Sequence, residues 1–139
     1  ATLTYVDPTK SGFPSTTIPV ENIYSVDMTN KIITSIFWPV AATNEIVLTY
    51  KVALRKQFAH AIVNAGFRFI IDPSSMKVQG QPTIVYGGIE SQTVRCPTTE
   101  KSLEGQVWTT SGLLQSTLDS LQSELTVDPS MGRDDYRTS

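Results

Sequence analysis

The sequence predicts an α+β fold, and three observations predict it. The middle of the chain alternates apolar and polar residues with period 2, most clearly over residues 46–57. Gly87-Gly88 sits between two such runs, as in a tight β-hairpin. After Pro97 the period changes, and leucines recur at helical spacing. Strands followed by helices place the helices on one face of an antiparallel sheet.

The elements follow in order. Asp7-Pro8, Ser11-Gly12, Pro14 and Pro19 punctuate short apolar pieces in the first 30 residues, which read as an N-terminal β-hairpin. Residues 31–38 are β-branched and aromatic, and Pro39 closes them. In the next strand Ile46, Leu48, Tyr50, Val52 and Leu54 share one face, with Thr49, Lys51, Ala53, Arg55 and Gln57 on the other. Residues 58–64 are left open between a helical turn and a hairpin loop. Residues 66–72 alternate again until Pro73-Ser74-Ser75, and residues 82–86 and 90–96 flank the glycine pair. Thr99 and Ser102 compete to cap a helix. Leu103, Val107, Leu114, Leu118, Leu121 and Leu125 form its stripe, and Gly112 splits it in two. Asp128-Pro129 ends the helices, which gives a single domain over residues 1–129 and a polar tail over 130–139.

Charge is unevenly placed. The 139 residues carry 11 Lys+Arg against 13 Asp+Glu, a net of −2. Residues 1–50 sum to −2, residues 51–95 to +4 and residues 96–139 to −4. Only 17% of residues are charged, while Ser and Thr number 32, a composition suited to a surface that faces copies of itself. The +4 segment falls on alternating strands, so Lys51, Arg55, Arg68, Thr93 and Arg95 are expected on one sheet face that can meet phosphates.

No catalytic constellation is visible, so no enzyme, cofactor or metal is expected. His60 is the only histidine and has no partner near it in sequence. Cys96, the only cysteine, excludes a disulfide framework and reads as a buried thiol. Asp134-Asp135 reads as a solvated pair in the tail. No P-loop, dinucleotide or hydrolase motif occurs. No apolar run of 18 residues spans a membrane, and the start has no signal-peptide character; loss of an initiator Met accounts for Ala1.

The order of elements resembles the coat protein of the small single-stranded RNA bacteriophages, the leviviruses. The carrying residues are 50–55 (Tyr-Lys-Val-Ala-Leu-Arg), 67–73 (Phe-Arg-Phe-Ile-Ile-Asp-Pro) and 93–99 (Thr-Val-Arg-Cys-Pro-Thr-Thr), which lead into a helix containing Leu113-Leu114. The resemblance implies a five-stranded antiparallel sheet after the hairpin, with two C-terminal helices packing on a partner subunit through Leu114, Leu118, Leu121 and Leu125. It implies a structural capsid protein, found in the virion and in the bacterial host cytoplasm during assembly. Its partners would be itself, as dimers building an icosahedral shell, and single-stranded genomic RNA, with no membrane. Thr49, Lys51, Ala53, Arg55, Arg68, Ser91, Thr93 and Arg95 would face the RNA, where an RNA hairpin would be bound for translational repression and packaging. The alternative is a soluble α+β module binding a small ligand or peptide in a pocket lined by Trp38, Phe67 and Phe69. A small enzyme of cone-shaped α+β fold using His60 is the third reading.

Overall fold

The computed structural model describes residues 1–133, 136 and 137. The chain parts into two compact units, Ala1–Val40 and Ala41–Ser139. The expected bounds were a domain over 1–129 and a tail over 130–139. Asp134-Asp135 lies outside the described residues.

The first unit is a three-stranded antiparallel sheet of order β2-β1-β3, built from β1 (Thr2–Val6), β2 (Ser15–Pro19) and β3 (Ile32–Phe37). Leu3 and Tyr5 on the central strand are its buried residues. A β-bulge between Thr4 and Tyr5 shifts the register against β3.

The second unit is a four-stranded antiparallel sheet in sequence order, β4 (Glu45–Ala53), β5 (Ala61–Ile70), β6 (Thr83–Gly87) and β7 (Val94–Arg95). Two helices follow, α1 (Pro97–Leu103) and α2 (Leu113–Glu124). Gly112 precedes α2 with φ +81°, a conformation that glycine adopts without strain.

Register decides which face is the core. Ile46 pairs with Phe69, Leu48 with Phe67, Tyr50 with Ala65, and Phe67 with Ile84. These residues therefore share a face, and the core cluster of Phe69, Ile71, Val78, Ile84, Cys96 and Leu103 forms on it. Leu113, Leu121 and Leu125 pack against that cluster. Phe67 stands edge-on between Tyr50 and Tyr86, both at ring-centre distances of 6.0 Å.

This corrects the coat-like fold. The strands form two sheets of three and four, not one sheet of five. Leu121 and Leu125 cover their own sheet rather than a partner's. Leu114 and Leu118 are 74% and 48% exposed. The glycine pair does not make a two-residue turn, because β7 begins only at Val94.

One carboxylate ties α1 to the sheet, and a second ties α2 to α1. Glu100, fully buried on α1, accepts from the Ile84 N–H (2.8 Å), Arg95 Nε (2.8 Å) and Gln81 Nε2 (3.0 Å). β7 is only two residues long, so the carboxylate takes the place of a strand neighbour at the Ile84 N–H. Glu124, at the end of α2, accepts from the backbone N–H groups of Thr98 (2.7 Å) and Thr99 (2.9 Å) and from the Thr99 hydroxyl (2.7 Å). It supplies from another helix the cap that α1 lacks at Cys96.

Burial raises the Glu124 carboxyl, but the bonds from Thr98 and Thr99 outweigh it and hold its pKa below the ordinary 4.5. A depressed carboxyl stabilises the fold fully above its unfolded value, and that contribution is lost as pH falls through the folded value. Urea midpoints of the wild type should therefore fall more steeply below pH 4.5 than those of Glu124→Gln. A second expectation concerns Glu100→Ala, which leaves a buried N–H and one face of Arg95 unmatched. It should cost about 3 kcal/mol in urea unfolding, with the m-value unchanged.

Candidate functional site: the cleft at the β4–β5 hairpin

The expected basic face is only partly assembled. Thr49, Gly66, Val85 and Arg95 lie in one row across the sheet, on the side opposite the helices. Lys51, opposite Asn64, shares that side, as does Arg68, opposite Val47. Two of the cations are neutralised: Arg68 Nε binds the Glu45 carboxylate, and Arg95 binds Glu100. Ser91 and Thr93 lie in the loop before β7.

Lys51, Arg55 and Lys56 remain, and the hairpin end gathers them. β4 ends at Ala53, and residues 54–60 bend back to β5 without regular structure. Arg55 Nη2 donates to the Phe58 carbonyl at 2.9 Å, which holds the bend closed. Phe58 has φ +51° there, in the left-handed region, and is 94% exposed. Lys51, Ala53, Leu54, Arg55 and Lys56 line a cleft of about 270 Å³. Among the described residues, no carboxylate pairs with any of its three cations. Such a cleft offers positive charge to an anion beside an apolar wall from Leu54.

A bulge shapes the base of this hairpin. Val52 pairs with Val63 and Ala53 with Ala61, so Ile62 is skipped in the β4 ladder. The β6 ladder starts only at Asn64. On the helix side of the same region, Val52, Val63, Tyr86, Leu118, Leu121 and Leu125 contribute to an apolar groove of about 510 Å³.

The other expected residues are accounted for. His60 is exposed just before β5. Burial pushes the Cys96 thiol up to about 12, with Glu124 and Glu100 adding to the shift, so it is a neutral core thiol. No group of three or more His, Cys, Asp or Glu among the described residues is placed to hold a metal ion. No helix of the described residues is long and apolar enough to cross a membrane. Arg137, Glu100 and Glu124 were not singled out by sequence reasoning. The only hint was Glu100, three residues into a helix opened by Pro97.

The second unit is thus an antiparallel sheet backed by two helices, with a cationic cleft at one hairpin. Residues 48–139 match the family described as the CO dehydrogenase flavoprotein C-terminal domain, and the chain belongs to that family. Xanthine dehydrogenase 2 of Arabidopsis thaliana is 33% identical over 116 residues, covering 79% of this chain and 8% of that protein. A nicotinate hydroxylase of Emericella nidulans is 33% identical over 116 residues, covering 78% of this chain and 9% of that protein. Among solved structures, carbon monoxide dehydrogenase from Hydrogenophaga pseudoflava superposes with TM-score 0.76 at 17% identity, over 99% of this chain and 47% of that one. The chain thus spans less than half of the structure it resembles and about a twelfth of the curated relatives.

These findings overturn the levivirus reading and what it carried. The family is one of flavoprotein domains, so the capsid function, the self-assembling shell with its RNA partner and the virion location are withdrawn. The relatives are cellular enzymes, which also corrects the expectation of a non-enzymatic protein. With RNA gone as a partner, the reason for assigning the eight residues to it goes too.

Proposed function

We propose that this chain is a flavoprotein segment of a multi-domain oxidoreductase, and that the β4–β5 cleft meets an anionic part of the flavin nucleotide. The observation that carries this reading is the family match over residues 48–139, a span that contains the whole cationic cleft. A bound flavin takes up an electron pair and passes it to an acceptor.

The cleft's chemistry fits one end of such a group. Lys51 and Lys56 present ammonium groups, and Arg55 a guanidinium, beside the apolar Leu54 side chain. Phosphate oxygens are the natural complement of that set. At about 270 Å³ the cleft is smaller than a typical cofactor site of roughly 300–1,000 Å³. This chain therefore holds a portion of the nucleotide, and the rest of the site comes from polypeptide or subunits outside these residues.

Substrate chemistry is drawn from the relatives. Xanthine and nicotinate, in the names of two relatives, are nitrogen heterocycles. So is quinoline, in the name of the quinoline 2-oxidoreductase from Pseudomonas putida 86, which superposes with TM-score 0.74 at 14% identity. We read the whole protein as an oxidase or dehydrogenase of a small heterocycle, acting at a centre outside this chain.

The test uses the full-length protein. It should purify with flavin absorption, and xanthine or nicotinate should reduce a dye acceptor in its presence. Replacing Lys51 and Lys56 together by Ala should weaken flavin retention about tenfold or more, with the melting temperature of the flavin-free protein unchanged. A full-length protein without flavin would sink the reading, and full retention in the double variant would remove the cleft from it.

A further inference from the structure

We infer that Arg137 is a positioning residue that locks the bulge at Ile62 and thereby holds the anion cleft in shape. The cleft's role in this inference rests on the proposed flavin contact; the lock itself does not.

The Ile62 carbonyl lies at a break in the sheet register. Among the described residues, Ile62 has no register partner in the β4 ladder or the β6 ladder, because the bulge skips it on one side and β6 begins past it on the other. A bulged residue leaves its backbone groups outside the ladder, and Ile62 is a buried position. Arg137 supplies the missing donor: its Nη1 binds the carbonyl oxygens of Ile62 and Gly88 together. Its Nε donates to the Gly132 carbonyl at 2.7 Å, and its Nη2 to the Met131 carbonyl at 3.3 Å. One guanidinium thus gathers four backbone carbonyls from three parts of the chain.

Two independent features support the lock. Gly88 has φ +83°, and a Cβ there would overlap the Ile62 carbonyl oxygen and stand 3.1 Å from Arg137 Nη1. The turn is therefore pressed against the site that Arg137 occupies. The Asp128 N–H also donates to the Ile89 carbonyl at 2.9 Å, so the segment after α2 is tied to the same turn before it reaches Arg137. It follows that residues near the end of the chain strap the β6–β7 turn to the start of β5.

The strap acts on the cleft through the ladder. Ile62 lies between Ala61 and Val63, which pair with Ala53 and Val52. Ala53 and its neighbours Leu54, Arg55 and Lys56 line the cleft. Bulges re-aim the side chains beside them, and this one sits where β4 turns into the cationic bend. Fixing the bulge fixes the direction in which Lys51, Arg55 and Lys56 are offered. Arginine suits the position because its planar fork spans two carbonyls at once, which an ammonium does not do in one geometry.

The experiment compares Arg137→Ala and Arg137→Lys with wild type in the full-length holoprotein, by hydrogen exchange and flavin affinity. In Arg137→Ala, amides in residues 50–65 should exchange at least tenfold faster, while those in residues 94–125 keep their protection. Flavin affinity should fall about five- to tenfold. Arg137→Lys should recover part of both losses, and it carries the comparison alone if the alanine variant does not fold. Unchanged exchange over residues 50–65, or an equal rise over the whole chain, would overturn the lock. Faster exchange over residues 50–65 with flavin affinity unchanged in both Arg137→Ala and Lys51→Ala would keep the lock and sink the flavin contact instead.

Discussion

The second unit depends on one buried carboxylate. Glu100 binds the Ile84 backbone, Arg95 and Gln81 at once, joining β6, β7 and the first helix. A charge in that position is tolerated because donors surround it; unpaired, it would oppose folding. The arrangement lets a sheet end on a strand of two residues without leaving the Ile84 N–H bare. It also fixes α1, whose free end Glu124 then caps from α2. Helices and sheet are therefore linked through two acids, and the apolar cluster around Cys96 and Ile84 fills the space between them.

The buried polar links of the unit thus lie among β6, β7 and the helices, and the β4–β5 hairpin lies at the other edge of the sheet. β4 is an edge strand exposed along most of its length, with Leu48 and Tyr50 49% and 60% exposed. Edge strands that are apolar on one face and carry cations at one end suit contact with other parts of a larger protein. The family match places that hairpin inside the flavoprotein domain. The hairpin lies at the free edge of the sheet, open to contact with polypeptide outside these residues.

Local structure was legible in the sequence where periodicity was strong. Alternation over residues 46–57 marks β4, although the strand ends at Ala53 and residues 54–57 belong to the bend, and leucine spacing marks α2. The start of β5 was not legible, because Ala61, Asn64, Ala65 and Gly66 carry no alternating pattern of their own. The division near Val40 was missed because a proline after an aromatic run marks a turn and a unit boundary equally. The family was misread for a related reason. A hairpin, an antiparallel sheet and terminal helices describe both a coat subunit and this domain, and the motifs that favoured the coat are only six or seven residues long.

Function was less legible, because it turns on pairings far apart in sequence. The segment sum of +4 counted Arg68 and Arg95 as available, yet Glu45 and Glu100 hold them. The Arg137 contact to Ile62 spans 75 residues and sits in a stretch that composition marks as a polar tail. What survives of the charge reading is its smallest part, the three cations at the hairpin bend. The most direct measurement of the central claim is an electron cryo-microscopy map of the full-length holoprotein. The account predicts flavin nucleotide density with an anionic oxygen at hydrogen-bonding distance from Lys51, Arg55 or Lys56. Flavin density that touches none of these three residues would contradict it.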